Sequence, residues 1–151
     1  MTTVLVLNGP NLGRLGSREP DVYGSADLDA LRSYLQESAP AGTAIDLRQT
    51  DDEAELIAWL HGAVDSRTSV ILNPAAFTHY SYGLRDAAAL VTKAGLTLIE
   101  VHISNPHTRE TFRHTSVISG IATGVIAGFG FDSYRLALDV ITRDQGTKHP
   151  A

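Results

Sequence analysis

Apolar residues fall into two alternating patterns along the chain. Four short runs lack polar alternation and read as strands buried on both faces of a parallel sheet: Val4 to Leu7, Val70 to Leu72, Leu96 to Val101 and Gly124 to Ala127. A weaker fifth strand is expected near Ala44 to Arg48. Between these runs the spacing becomes helical. Leu28, Leu31 and Leu35 form one stripe, and Leu56, Ile57, Leu60 and Val64 form another, opened by a Thr50-x-x-Glu53 capping box. A third helix, from about Gly83 to Lys93, carries Leu84, Ala87, Ala88 and Val91. The last places Tyr134, Leu138 and Ile141 on one face, and the chain from about 144 to 151 is expected to form a flexible tail.

Strands alternating with helices are the pattern of βαβ units. Five strands in 151 residues fit one catalytic domain spanning 1–151, an α/β fold with a flavodoxin-like, doubly wound five-stranded parallel sheet in a three-layer α/β/α arrangement. In such sheets ligands bind beyond the carboxyl ends of the strands, so the residues following each strand are the candidate site.

Composition narrows the chemistry. The apolar share of 43% suffices for a core, and the absence of cysteine excludes disulfides, thiolate zinc sites and iron–sulfur clusters. Cytoplasm is the expected compartment, since no basic leader or membrane-length apolar run is seen. A net charge of -5 with scattered basic residues argues against nucleic acid or an anionic membrane as partner.

Past the first strand, residues 8–24 form a loop longer than a strand-to-helix connection needs, with glycines for hinge motion and with Arg14 and Arg18 to bring positive charge over an anion. The spacing Gly9-x3-Gly13-x2-Gly16 is neither a dinucleotide fingerprint nor a Walker loop. Gly128-Phe129-Gly130 reads as a tight turn. After the strand ending at Leu72, Asn73 and His79 offer a hydrogen-bonding wall.

Glu100-Val101-His102 is the most informative segment. Strand alternation puts Glu100 and His102 on one face, where the carboxylate can orient the imidazole for general acid work near neutrality. Two other uses of the spacing stand beside this one. Metal ligation needs a further ligand, which no H-x-x-x-H or H-E-x-x-H pattern supplies, although His107 and His114 lie downstream. A packed histidine bonded to backbone is the other. His61 and His149 read as surface residues, and Arg109 as a solvated arginine.

Taken together, these residues make the chain resemble the type II 3-dehydroquinate dehydratases. Four blocks carry the resemblance: Leu7-Asn8-Gly9-Pro10-Asn11-Leu12 with Arg18-Glu19-Pro20-x-x-Tyr23-Gly24; Leu72-Asn73-Pro74 with Thr78-His79-x-Ser81; Glu100-Val101-His102-Ile103-Ser104-Asn105; and Arg109-Glu110-x-Phe112-Arg113-His114. The resemblance implies reversible anti elimination of water from 3-dehydroquinate through an enolate, giving 3-dehydroshikimate, with no cofactor, metal or lysine Schiff base. It implies Tyr23 as base, Arg18 as the cation that acidifies the phenol, Asn11 as enolate stabiliser, and His102 as acid held by Glu100. It also implies that Asn73 and the amides of Ile103 and Ser104 hold the carboxylate, that His79 and Arg113 meet ring hydroxyls, and that Asp86 reaches a neighbouring subunit's site in a dodecamer of four trimers.

Departures from the family pattern fall at Gly13-Arg14, Ala75, Ala76 and Tyr80, none of them a proposed catalytic position. Two rivals predict different behaviour: a flavodoxin-like module binding a nucleotide or flavin, and a catalytically silent oligomeric scaffold.

Overall fold

The computed structural model describes residues 2–17 and 26–144. Five parallel strands, β1 (Thr2–Asn8), β2 (Thr43–Gln49), β3 (Val70–Asn73), β4 (Leu98–His102) and β5 (Gly124–Ala127), pair in the order β2-β1-β3-β4-β5. Four helices connect and cover them: α1 (Leu28–Ser38), α2 (Glu53–Ser66), α3 (Tyr82–Lys93) and α4 (Phe131–Asp144). From β1 the chain steps outward to β2, then returns across β1 to continue in the opposite direction through β3, β4 and β5. That reversal places a topological switch point between β1 and β3, where such sheets open a crevice.

Side-chain alternation along β1 separates the two cores. Val4 and Val6 face a layer with Leu31 and Leu35 of α1 and Tyr134, Leu138 and Ile141 of α4. Leu5 and Leu7 face the opposite layer with Leu56 and Leu60 of α2 and Leu84, Ala87, Ala88 and Val91 of α3. The strands are apolar on both faces because helices cover both. The three-layer, flavodoxin-like reading holds.

Local details differ from the sequence expectation. β5 is not fully buried: it has a partner on one side only, and Val125 is 47% exposed. β4 starts at Leu98 rather than Leu96. The Thr50 hydroxyl accepts from the Asp52 amide, and the Asp52 side chain accepts from the Ala54 amide, so Asp52 and not Thr50 caps α2. Thr50 stands too far ahead of the helix to reach its first turn. In the second stripe Leu56 and Leu60 are buried while Ile57 and Val64 are half-buried, and Ala63 completes the face. The last helix runs through Asp144; the rest of the expected tail, His149 included, lies outside the described residues.

Gly9 and Ala75 shape the crevice. A Cβ on Gly9 would stand 2.7 Å from the Pro74 carbonyl oxygen, so only glycine lets the loop after β1 lie against the loop after β3. The Gly9 amide uses this closeness to donate to the Asn73 carbonyl at 2.8 Å. Ala75 sits at φ +51°, a left-handed conformation that a non-glycine residue adopts at a cost of ~1 kcal/mol or more.

Candidate active site

A cavity of about 180 Å³ opens at the carboxyl ends of β1, β3 and β4. Asn11 enters it from the loop after β1, Asn73 and His79 from the end of β3 and its following turn, and His102, Ile103 and Ser104 from the end of β4. Arg109 follows the short 3-10 turn Pro106–Thr108, and Arg113 lies in the next, Thr111–His114. Seven residues expected at the site, far apart in sequence, therefore share one cavity.

Glu100 is fully buried, yet both of its oxygens are occupied. Oε2 lies 2.5 Å from His102 Nε2 and 2.5 Å from the Thr78 hydroxyl, and Oε1 accepts from Ser119 at 2.5 Å. Ser116 adds longer bonds of 3.2 and 3.3 Å to the two oxygens. Burial acts most strongly on this carboxyl and raises its pKa. The hydrogen bond and charge of His102, with the Ser119 and Thr78 hydroxyls, outweigh burial and hold it below the ordinary carboxyl range. Glu100 is thus ionised, so Nε2 of His102 donates to it and Nδ1 is left to exchange a proton. With both carboxylate oxygens taken by donors, Glu100 is an acceptor that orients the imidazole.

His79 is fixed in a comparable way. Its Nδ1 lies 2.8 Å from the Thr115 carbonyl, which can only accept, so Nδ1 carries the proton and Nε2 is free to accept. The Phe112 ring stands edge-on to the imidazole at 5.6 Å. Arg113 stacks over Phe112, its guanidinium carbon 4.6 Å from the ring centre, while Nε donates to Glu110 at 2.9 Å. The stack and ion pair restrain a guanidinium that otherwise has many rotamers.

Asn11 lies in the left-handed region at φ 70°, its amide donating to Asp51 Oδ1 at 2.8 Å. Gln49 donates to the Gly9 carbonyl and to the same Asp51 oxygen, tying the start of the long loop to the end of β2.

Two expectations have other outcomes. Arg109, read as solvated, lines the cavity and donates to the Ser104 hydroxyl at 3.3 Å. Arg14 stands apart from the cavity, beside a shallow depression shared with Asp51. Asp86, expected at a neighbouring subunit's site, is exposed on α3 and paired with Arg85 at 3.1 Å. Arg18 and Tyr23 lie outside the described residues. Thr78, Ser116 and Ser119 hold Glu100; the sequence assigned Thr78 no role beyond its block beside His79, and the two serines, isolated hydroxyl residues in a loop, carry no spacing signal.

Comparison with known proteins gives a consistent answer. The family described as Dehydroquinase class II matches residues 2–142. A 3-dehydroquinate dehydratase of Salinispora arenicola is 55% identical over 136 residues, covering 89% of this chain and 93% of its own. One from Mycobacteroides abscessus is 56% identical over 137 residues, covering 90% and 93%. The crystal structure of a type II dehydroquinase from Propionibacterium acnes superposes with a TM-score of 0.90 at 47% identity, covering 95% of this chain and 98% of that one. With a fold shared at a TM-score of 0.90 and a family match over residues 2–142, this protein belongs to the class II dehydroquinases.

Proposed function

We propose that this chain removes water from 3-dehydroquinate to give 3-dehydroshikimate, with Tyr23 as base and His102 as acid. The observation that carries the reading is the Glu100–His102 pair, a buried ionised carboxylate orienting an imidazole at the wall of a polar cavity. Family membership supports the substrate.

The chemistry needs a base for the proton beside the ketone and an acid for the departing hydroxyl. A free phenol, pKa about 10, is a weak base at neutral pH, and Arg18 close by in sequence supplies the cation that stabilises its phenolate. Proton removal gives an enolate, which Asn11 stabilises through a water. His102 then delivers a proton to the hydroxyl as the carbon–oxygen bond breaks, and its growing need for charge balance is met by Glu100.

Asn73 and the backbone amides of Ile103 and Ser104 hold the carboxylate, with His79 and Arg113 on the ring hydroxyls. Four of these five positions are offered by strand ends or the turn after β3, so little reorganisation is needed on binding. Asp86 serves a neighbouring copy's cavity, which agrees with its exposed place on α3, and the assembly is a dodecamer of four trimers working in the cytoplasm. Among the described residues no helix is long and apolar enough to cross a membrane.

The purified protein, mixed with 3-dehydroquinate, is expected to produce the conjugated enone, seen as rising ultraviolet absorbance. A flat trace at enzyme concentrations that match the substrate would overturn the reading. Sedimentation at micromolar concentration tests the dodecamer, and a monomer throughout would remove Asp86 from its role.

A further inference from the structure

Asn8 and Asn73 end neighbouring strands in register, and both side chains turn to the fully buried Tyr134 of α4. The Asn8 Nδ2 donates to the Arg48 carbonyl at 3.1 Å, and the Tyr134 hydroxyl donates to Asn8 Oδ1 at 2.7 Å. The Asn73 Nδ2 donates to the Tyr134 oxygen at 2.8 Å, and the Ala75 amide donates to Asn73 Oδ1 at 3.1 Å. Four hydrogen bonds thus run in one line from Ala75 to Arg48.

The direction of this line is set by its ends. A backbone carbonyl can only accept and a backbone N–H can only donate. Reversing either carboxamide would set oxygen against the Arg48 carbonyl, or nitrogen against the Ala75 amide. Each mismatch in a buried place costs the desolvation of an unpaired group. Burial also pushes the Tyr134 phenol up, against the smaller opposing effect of Asn73, so it stays a hydroxyl with a proton to give. Asn73 lines the cavity, and the second N–H of its Nδ2 makes no hydrogen bond among the described residues.

We propose that Tyr134 is a positioning residue: its hydroxyl accepts from Asn73 Nδ2 while the Ala75 amide donates to Oδ1, and the two together hold the carboxamide so that the cavity meets an N–H donor and not a carbonyl oxygen. A donor fixed there before the ligand arrives suits an anionic oxygen and rejects a ligand that needs an acceptor at that point. The substrate chemistry is therefore read partly by a helix that never touches it. The claim deepens the proposed carboxylate-binding role of Asn73 and rests on it.

Tyr134→Phe keeps the ring and removes the hydroxyl, which leaves the Asn73 carboxamide held by the Ala75 amide alone and loosens its orientation. KM for 3-dehydroquinate is expected to rise about tenfold while kcat changes less than about threefold, the loss of one directed hydrogen bond from ground-state binding. On an Asn73→Ala background the same change is expected to raise KM no further, because nothing is left to orient. In the nuclear magnetic resonance spectrum, the Asn73 side-chain amide protons are expected to lose their protection from solvent exchange in Tyr134→Phe. An unchanged KM, an equal rise on the Asn73→Ala background, or unaltered amide protection overturns the proposal. A general loosening of the fold would multiply through both backgrounds alike. Should Tyr134→Phe not fold, Asn8→Ala applies the same three measurements from the far end of the line. If the wild-type protein fails to turn over 3-dehydroquinate, the substrate reading falls separately, and the amide protection alone decides the relay.

Discussion

The carboxylate of Glu100 is within 2.5 Å of the His102 imidazole and has no exposed surface of its own. A buried carboxylate is tolerated because His102, Thr78 and Ser119 donate to it and Ser116 contributes longer bonds. Under the proposed acid role of His102 the pair links catalysis to stability, and pH separates the two.

Because the folded pKa of Glu100 is depressed, its contribution to stability is complete above the unfolded carboxyl value of about 4.3 and is lost as pH falls through the lower folded value. The thermal stability of the wild type should thus fall on acidification in that range. Glu100→Gln should flatten that dependence, because no charge is left to neutralise. The same variant is expected to lower kcat by roughly 10²-fold, since the imidazolium loses its counter-charge. Melting curves from pH 3 to 7, paired with turnover at pH 7, make the check; a Gln variant with wild-type kcat would show that the carboxylate is only a packing feature.

If Tyr23 is the base, Tyr23→Phe should reduce kcat by about 10³-fold or more while KM stays within a few-fold, because a base acts on the transition state. In the wild type, chelators and borohydride should leave the rate unchanged. A near-normal turnover of the Phe variant would remove Tyr23 as the base, and inhibition by a chelator would revive the metal reading.

Arg109→Ala should raise KM about tenfold, the size of one charge-assisted hydrogen bond lost from binding. Its place on the cavity wall beside Ser104 is the reason. Steady-state kinetics decide it: an unchanged KM returns Arg109 to the solvated role its sequence context suggested.

Gly9→Ala should destabilise the fold by about 1–3 kcal/mol, because the new methyl meets a backbone oxygen that has no side chain to swing away. Urea unfolding measures the loss, and a stability within error of wild type would mean that the two loops part more readily than their closeness implies.

The sheet and helices were legible where pattern and burial coincide. Val4 to Leu7 and Val70 to Leu72 are apolar on both faces because helices cover both, and that leaves its mark in sequence. Gly124 to Ala127 carries the same apolar pattern but lies at the edge, since strand order depends on crossovers that no local window contains. At the site, Glu100 and His102 were readable from strand alternation. Ser116 and Ser119 reach the same carboxylate from an irregular stretch 16 and 19 residues away, where neither period nor cap marks them. Arg109 was misread for a related reason: a loop arginine has the same sequence signature whether it faces water or a cavity.

Tyr134 lies near the end of the described chain, whereas the asparagines it joins close strands near its start and middle. During synthesis both asparagines leave the ribosome long before the helix that orients them. Under the proposed relay a nascent chain holds the Asn73 amide by its Ala75 contact alone until the final helix docks, and full affinity for the anion arrives with that helix.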